Sequence, residues 1–279
     1  MEAYGDFAYV YDELMDSTPY EQWCERVVSL IRTYGISSPR QRCGQEEEPD
    51  ISLQMPITEE DMLTSERNLV VDLGCGTGTL TELMYQKGFD MIGIDCSEDM
   101  LNVAIEKRGK TGHEILYLLQ DMRELELYST VGTVVSVCDS LNYILEEEEL
   151  LDTFRLVNTY LFPGGIFIFD FNTVYKYEQV IGDATIAENR EDCSFIWENY
   201  YHPTEEINEY DLTVFIQEEG EHFRKFTETH YQRGYTVEQM TTLLEEAGMK
   251  VLLVKDSDTE GSVTETTQRV YMVAREQGK

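Results

Sequence analysis

Val70-Val71-Asp72-Leu73-Gly74-Cys75-Gly76-Thr77-Gly78-Thr79 is the stretch that decides the fold. Val70 to Leu73 reads as a short buried strand, glycine then falls at every second position, and a helix follows from Thr79. Glycine has no Cβ, so the backbone can turn sharply there and a ligand can lie against the peptide plane. Dinucleotide sites use G-x-G-x-x-G, with a pyrophosphate on the helix N-terminus. Here the third glycine comes one position early and Thr79 stands in the slot where that pattern wants glycine. The spacing turns the reading away from nicotinamide.

Outward from this loop, short apolar runs alternate with helical segments. Strand Leu69 to Leu73 leads to a helix from Thr79 to Lys87, stopped by Gly88. Strand Met91 to Ile94 leads to a helix capped by Ser97, with Glu98 and Asp99 favourable in its first turn. Ile115 to Leu119 and Val131 to Val137 are two further strands, Glu146 to Leu161 a long helix, and Gly165 to Phe171 a fifth strand entered through Pro163-Gly164-Gly165. Near-continuous apolar strands separated by helices predict a parallel sheet covered on both faces.

Phe195 to Tyr201, Glu209 to Gln217 and Phe223 to Tyr235 then alternate apolar and polar residues, predicting a three-stranded antiparallel insertion over the working edge of the sheet. Thr236 to Gln239 supply a capping box for a helix running to Ala247, and Met249 to Lys255 and Thr267 to Ala274 close the chain as two strands. Ahead of the glycine loop, Trp23, Val27, Leu30, Ile31 and Tyr34 fall at helical spacing within Pro19 to Tyr34. Residues Ser37 to Asn68 read as a long polar excursion with one short helix near Glu59 to Leu63, and six scattered cysteines without CxxC pairs read as reduced, buried thiols. This divides the chain into residues 1–68, an N-terminal helical lid and acidic loop; 69–174, the core; 175–235, the insertion; and 236–279, which completes the core.

With Asp72 two residues ahead of its first glycine, the loop resembles the first motif of class I S-adenosylmethionine-dependent methyltransferases. The resemblance covers Val70 to Phe171 and implies a Rossmann-like seven-stranded, mostly parallel sheet with S-adenosyl-L-methionine as cofactor. In that family Asp72, Gly74, Cys75, Gly76 and Gly78 would hold the methionine part. Asp95 lies 21 residues after Gly74, where a carboxylate can accept both ribose hydroxyls. Cys96 follows it, and the resemblance implies that Asp121 meets the adenine amino group while Met122 packs beside the ring.

Ligands in open α/β sheets bind beyond the carboxyl ends of the strands, so the polar run Cys138-Asp139-Ser140-Leu141-Asn142-Tyr143 after the fourth strand should face the reacting methyl group. Methyl transfer mainly requires alignment, exclusion of water and removal of a proton. Asp139 is the candidate beside the methyl, touching cofactor and reaction alike, with Asn142 and Asn172 orienting the acceptor. Tyr4, Phe7 and Tyr11 recur at helical spacing, and this aromatic start resembles the N-terminal lid of small-molecule N-methyltransferases. Tyr11 is assigned to both cofactor and catalysis, Tyr4 to the substrate, because aromatic faces attract a sulfonium or an amine. In the insertion, Tyr201 is a substrate candidate and His230 a candidate base, imidazole being suited to proton removal near neutrality. The amino-sugar enzymes carry a histidine near the fourth strand that this chain lacks.

Acidic residues number 55 against 21 basic, a formal net charge of −34. Such a field opposes polyanions, whose binding relies on Lys and Arg, and the DPPY-type tetrapeptide of DNA amino methylases is absent. No apolar stretch nears the roughly 20 residues that cross a bilayer, and the opening residues lack a signal peptide. The reading is a cytoplasmic enzyme with a small-molecule acceptor methylated at nitrogen or oxygen, no metal, nucleic acid or membrane partner, and a homodimer left open. Its rivals are a tRNA or RNA methyltransferase and a cofactor-binding regulator without chemistry.

Overall fold

The computed structural model describes residues 7–40, 58–218, 220 and 222–278. Tyr4, Cys43 and most of the acidic excursion lie outside them. Two helices lead, α1 (Ala8–Leu14) and α2 (Tyr20–Tyr34), followed by α3 (Glu59–Asn68), longer than the short helix expected there. Then β1 (Leu69–Leu73), α4 (Thr79–Gln86), β2 (Asp90–Asp95), α5 (Glu98–Thr111), β3 (Leu116–Leu119), β4 (Val131–Ser136), α6 (Glu147–Tyr160) and β5 (Leu161–Asn172) alternate as the apolar runs predict. Ser97 caps α5 by accepting from the Met100 amide, which satisfies one orphan donor of the first turn.

The main sheet has seven strands in the order β10-β11-β5-β4-β1-β2-β3, where β10 is Met249–Asp256 and β11 is Arg269–Glu276. Pairs among β1 to β5 are parallel, and β11 enters antiparallel between β5 and β10. One face is packed by α6 and by α7 (Val237–Glu246), where Phe154, Phe167 and Phe169 are wholly buried and Phe167 stacks on Phe169 at 4.7 Å. The other face takes α2, α4 and α5 through Val28, Ile31, Met84 and Ala104. Burying each of the Val, Ile, Met and Phe side chains among these contributes about 1.5–3 kcal/mol by leaving water.

The insertion has four antiparallel strands rather than three, in the order β6-β7-β8-β9. They are β6 (Thr185–Asn189), β7 (Cys193–His202), β8 (Ile207–Gln217) and β9 (Phe223–Arg233). The additional strand β6 is exposed at all five positions, so no face of it had to be apolar and no alternation marked it. β5 also begins earlier than expected, because Phe162 to Gly165 continue the strand through an irregular register against β4. The five described cysteines are free, and Cys96 is exposed where burial was expected. No helix among the described residues is long and apolar enough to cross a membrane.

Candidate functional site

The strand order reverses between β1 and β4, and beyond their carboxyl ends lies a cavity of about 750 Å³, within the roughly 300–1,000 Å³ of small-ligand sites. Asp72, Gly74, Cys75 and Gly76 line it from β1 and its loop, and Asp95 and Cys96 from β2. Asp121 and Met122 follow β3; Cys138, Ser140 and Tyr143 follow β4. Tyr11 and Tyr20 close it from the N-terminal helices, and His230 from β9.

The loop glycines divide their work. Gly76 has φ +54°, and a Cβ built there would meet no atom within 4 Å, so its missing side chain is a cradle open to a ligand. Gly78 does not line the cavity. Its Cβ would stand 2.5 Å from the Tyr117 hydroxyl and 3.1 Å from Ala104, so this glycine, assigned to the cofactor by sequence, lets α4 sit close to β3 and α5. The loop is also pinned from β4, where the Ser140 hydroxyl donates to the Gly74 carbonyl at 3.2 Å.

Asp95 accepts from the Gly76 amide at 2.8 Å and from the Ser97 amide at 2.9 Å, bridging the two loops. Burial still raises its pKa above the usual range. Asp72 is more deeply placed: burial pushes it up to about 7, tempered by the Thr81 hydroxyl that donates to it at 2.6 Å. Asp121 is forked by Arg123, which holds its carboxyl below the usual range and also reaches Glu149. Burial pushes the Cys138 thiol up to about 12, so it is protonated at neutral pH and a poor nucleophile.

The segment after β4 departs from expectation. Cys138 and Asp139 are successive non-glycine residues in the left-handed region, at φ 64° and 53°, a strained pair whose amides converge. The Asp170 carboxylate of β5 fills that convergence, accepting from both amides, that of Asp139 at 2.8 Å. The Asp139 side chain is thereby turned from the cavity: one oxygen pairs with Arg269, and the other accepts from Gln232 at 2.8 Å. Asp139 is not among the cavity-lining residues.

Asn142 and Asn172 are brought together, but as a buried clasp and not as cavity wall. The Asn142 amide donates to the Asn172 and Arg233 carbonyls, and its oxygen accepts from the Asn172 backbone amide at 2.9 Å. The Asn172 oxygen accepts from Lys176 and Arg269. Tyr201 sits on β7 away from the cavity, its backbone amide bound to Asp183.

The aromatic start does form a roof. Phe7 and Val10 pack on Tyr210, Leu212 and Val214 of β8, while Asp12 accepts from the Thr77 and Thr79 hydroxyls and pairs with Lys107. α1 is thus fastened to the insertion on one side and to the glycine loop on the other. Tyr11 places its hydroxyl 3.8 Å from the Cys138 sulfur. Sequence reasoning left Tyr20 and Asp12 without a role. Tyr20 carried one available signal, its place in the same aromatic run as Trp23, which its ring meets edge-on.

A family model described as a methyltransferase domain matches residues 70–165. A protein of Geobacillus sp. (strain WCH70), named as a methyltransferase, is 32% identical over 272 residues, covering 98% of this chain and 99% of its own. YqeM of Bacillus subtilis (strain 168), likewise named as a methyltransferase, is 32% identical over 273 residues, covering 98% and 96%. The crystal structure of a S-adenosylmethionine-dependent methyltransferase from Clostridium acetobutylicum ATCC 824 shares the fold over 99% of both chains, with a TM-score of 0.79 at 24% identity. The open cradle at Gly76 and the carboxylate of Asp95 beside it suit a nucleoside bearing an amino-acid tail. Matched over nearly its whole length and folded around such a crevice, the chain belongs to the class I S-adenosylmethionine-dependent methyltransferases.

Proposed function

We propose that the acceptor is a small molecule, methylated at nitrogen or oxygen, that enters the cavity as a cation or a neutral species. The observation that carries this reading is the charge of the wall. Asp72, Asp95, Glu98, Asp99, Asp121, Glu146 and Glu149 line the cavity, and the one arginine among the described lining residues, Arg123, is already shared by Asp121 and Glu149. A crevice of one sign with low-dielectric walls concentrates ligands of the other sign, and a polyanion would meet that wall on top of a net charge of −34.

In this reading Asp95 takes the ribose hydroxyls, Asp72, Gly74, Cys75 and Gly76 hold the methionine end, and Cys96, Asp121 and Met122 border the adenine. The cofactor supplies a methyl group on positive sulfur. The protein supplies alignment, a roof of Tyr11 and Tyr20 that keeps water out, and in His230 an eventual home for the acceptor's proton. Asp139, tied to Arg269, is left to shape the turn that presents Cys138.

The reading is tested by incubating the purified protein with methyl-labelled cofactor and, separately, a panel of small amines and alcohols, total tRNA and a protein extract. Label in the small-molecule fraction is expected. Transfer confined to tRNA or protein would overturn it.

A further inference from the structure

Lys176 opens the helical turn Lys176–Ile181 that follows β5. Its ammonium donates to the side-chain oxygen of Asn172 at 2.9 Å, and Arg269 Nε donates to that same oxygen at 3.2 Å. Two cations thus converge on one neutral oxygen. Arg269 is answered by the carboxylates of Asp139 and Asp170. Lys176 is half-buried, and among the described residues no carboxylate pairs with its ammonium.

That isolation stands out in a chain with 55 acidic residues. Drawing an ammonium out of water costs free energy unless an anion meets it, and a clasp on Asn172 requires only a neutral donor. Burial and the neighbouring Arg269 charge both lower the Lys176 pKa, while Asp139 and Asp170 act against them from beyond contact. An anion laid against the ammonium would offset both effects.

The cation pair is continuous with the cavity along two walls. Asp139, bonded to Arg269, directly follows Cys138, which lines the cavity. On α2, Tyr20 lines the cavity, its ring meets Trp23 edge-on, and the Arg269 guanidinium lies 5.5 Å over the Trp23 ring. Arg269 and Asp139 keep 15% and 18% of their side-chain surface exposed, so small ions can reach the group. The residues assigned to the cofactor stand at the ends of β1, β2 and β3, which leaves the ends of β4 and β5 to the acceptor.

We propose that Lys176, backed by Arg269 and positioned by Asn172, is an anion subsite that receives a carboxylate of the acceptor. This rests on the small-molecule reading above and narrows it to amines that carry a carboxylate. Such a zwitterion is neutral overall, and it turns its amine toward the acidic wall and its carboxylate toward Lys176. One ammonium without a carboxylate matches a single negative charge. A phosphate dianion would bring a second charge up to Asp139 and Asp170, which repel it.

Acetate probes the subsite with no acceptor known. Thermal unfolding of the full chain, saturated with S-adenosylhomocysteine, is followed in sodium acetate, sodium chloride and sodium phosphate at equal ionic strength. About 50 mM acetate is expected to raise Tm by about 3 °C over chloride. In Lys176→Met that rise should vanish, while S-adenosylhomocysteine affinity by calorimetry stays within about twofold. Lys176→Gln, which keeps a donor for Asn172 and loses only the charge, should behave in the same way. In the labelled-methyl assay, amino acids should be methylated at least about tenfold faster than their amides, a ratio expected to fall about tenfold in Lys176→Gln.

Acetate acting no differently from chloride on the native chain, or an acetate effect that survives in both variants, overturns the subsite and leaves the small-molecule reading standing. A larger effect of phosphate, or equal rates for acids and amides, overturns the choice of carboxylate. Loss of S-adenosylhomocysteine binding in both variants makes the lysine structural and overturns the subsite as well. Label confined to tRNA or protein removes the small-molecule reading, and the acceptor carboxylate with it.

Discussion

The carboxyl ends of β2 and β4 each present an aspartate beside the switch point, and the two meet opposite fates. Asp95 is held by backbone amides of Gly76 and Ser97, which position the carboxylate at the cavity without neutralising it. Asp139 is claimed by Arg269 and Gln232, from β11 and β9, while Asp170 occupies the amides of its turn. A carboxylate at a strand end serves a ligand only where no cation from another part of the chain reaches it first. The β2 end is built from neighbours within about twenty residues; the β4 end is built across 130.

The sharpest way to break the contrast is to remove the claimant. Arg269 is 15% exposed at its side chain, bonds Asp139 and approaches Asp170 at 3.8 Å. Arg269→Met leaves the buried Asp170 and the half-buried Asp139 carboxylates without their cation and is expected to cost about 3–5 kcal/mol of stability. The double variant Asp139→Asn/Arg269→Met should recover a large part of that loss in denaturant titrations. A single variant as stable as the native chain would show that the cluster holds nothing together.

Next in size is the aspartate that lines the cavity. Asp95→Ala is expected to weaken S-adenosylmethionine binding by about 1–3 kcal/mol through loss of charge-assisted hydrogen bonds. Asp139→Asn, measured in the same calorimeter, is expected to leave that affinity nearly unchanged. Equal losses at the two positions would erase the distinction between the strand ends.

The same contrast explains what could be read ahead of the fold. Glycine spacing, the carboxylate of Asp95 and the alternation of apolar runs are short-range signals, each dictated by a loop or a strand whose partners are close in sequence. Asp139, Asn142 and Asn172 look equally polar and equally well placed at strand ends, but their roles depend on Arg269, Lys176 and Gln232, which no local pattern connects to them. Gly78 was misread for a related reason, since the Tyr117 hydroxyl that crowds it comes from β3. His230 and Tyr143 sit on the same wall, though their separation of 87 residues hid the pair.

Asp72, at the end of β1, extends the comparison to a carboxylate governed by burial. Its pKa of about 7 means that the folded chain without ligand carries a proton there between about pH 4 and 7, where an unfolded carboxyl of pKa about 3.9 has released it. Folding stability from this group is therefore greatest at low pH and declines as pH rises through that window. A cationic ligand favours the charged form, so binding drives the proton off and affinity should climb with pH, by up to about tenfold per unit below 7, then level. Asp95, also raised by burial, adds to the rise and persists in an Asp72 variant. Calorimetric titration of S-adenosylmethionine from about pH 5.5 to 8.5 should show that rise in the native protein and a shallower one in Asp72→Asn. A native profile flat across neutrality would mean that Asp72 is already ionised in the empty fold, and that the Thr81 hydroxyl outweighs burial at this strand end.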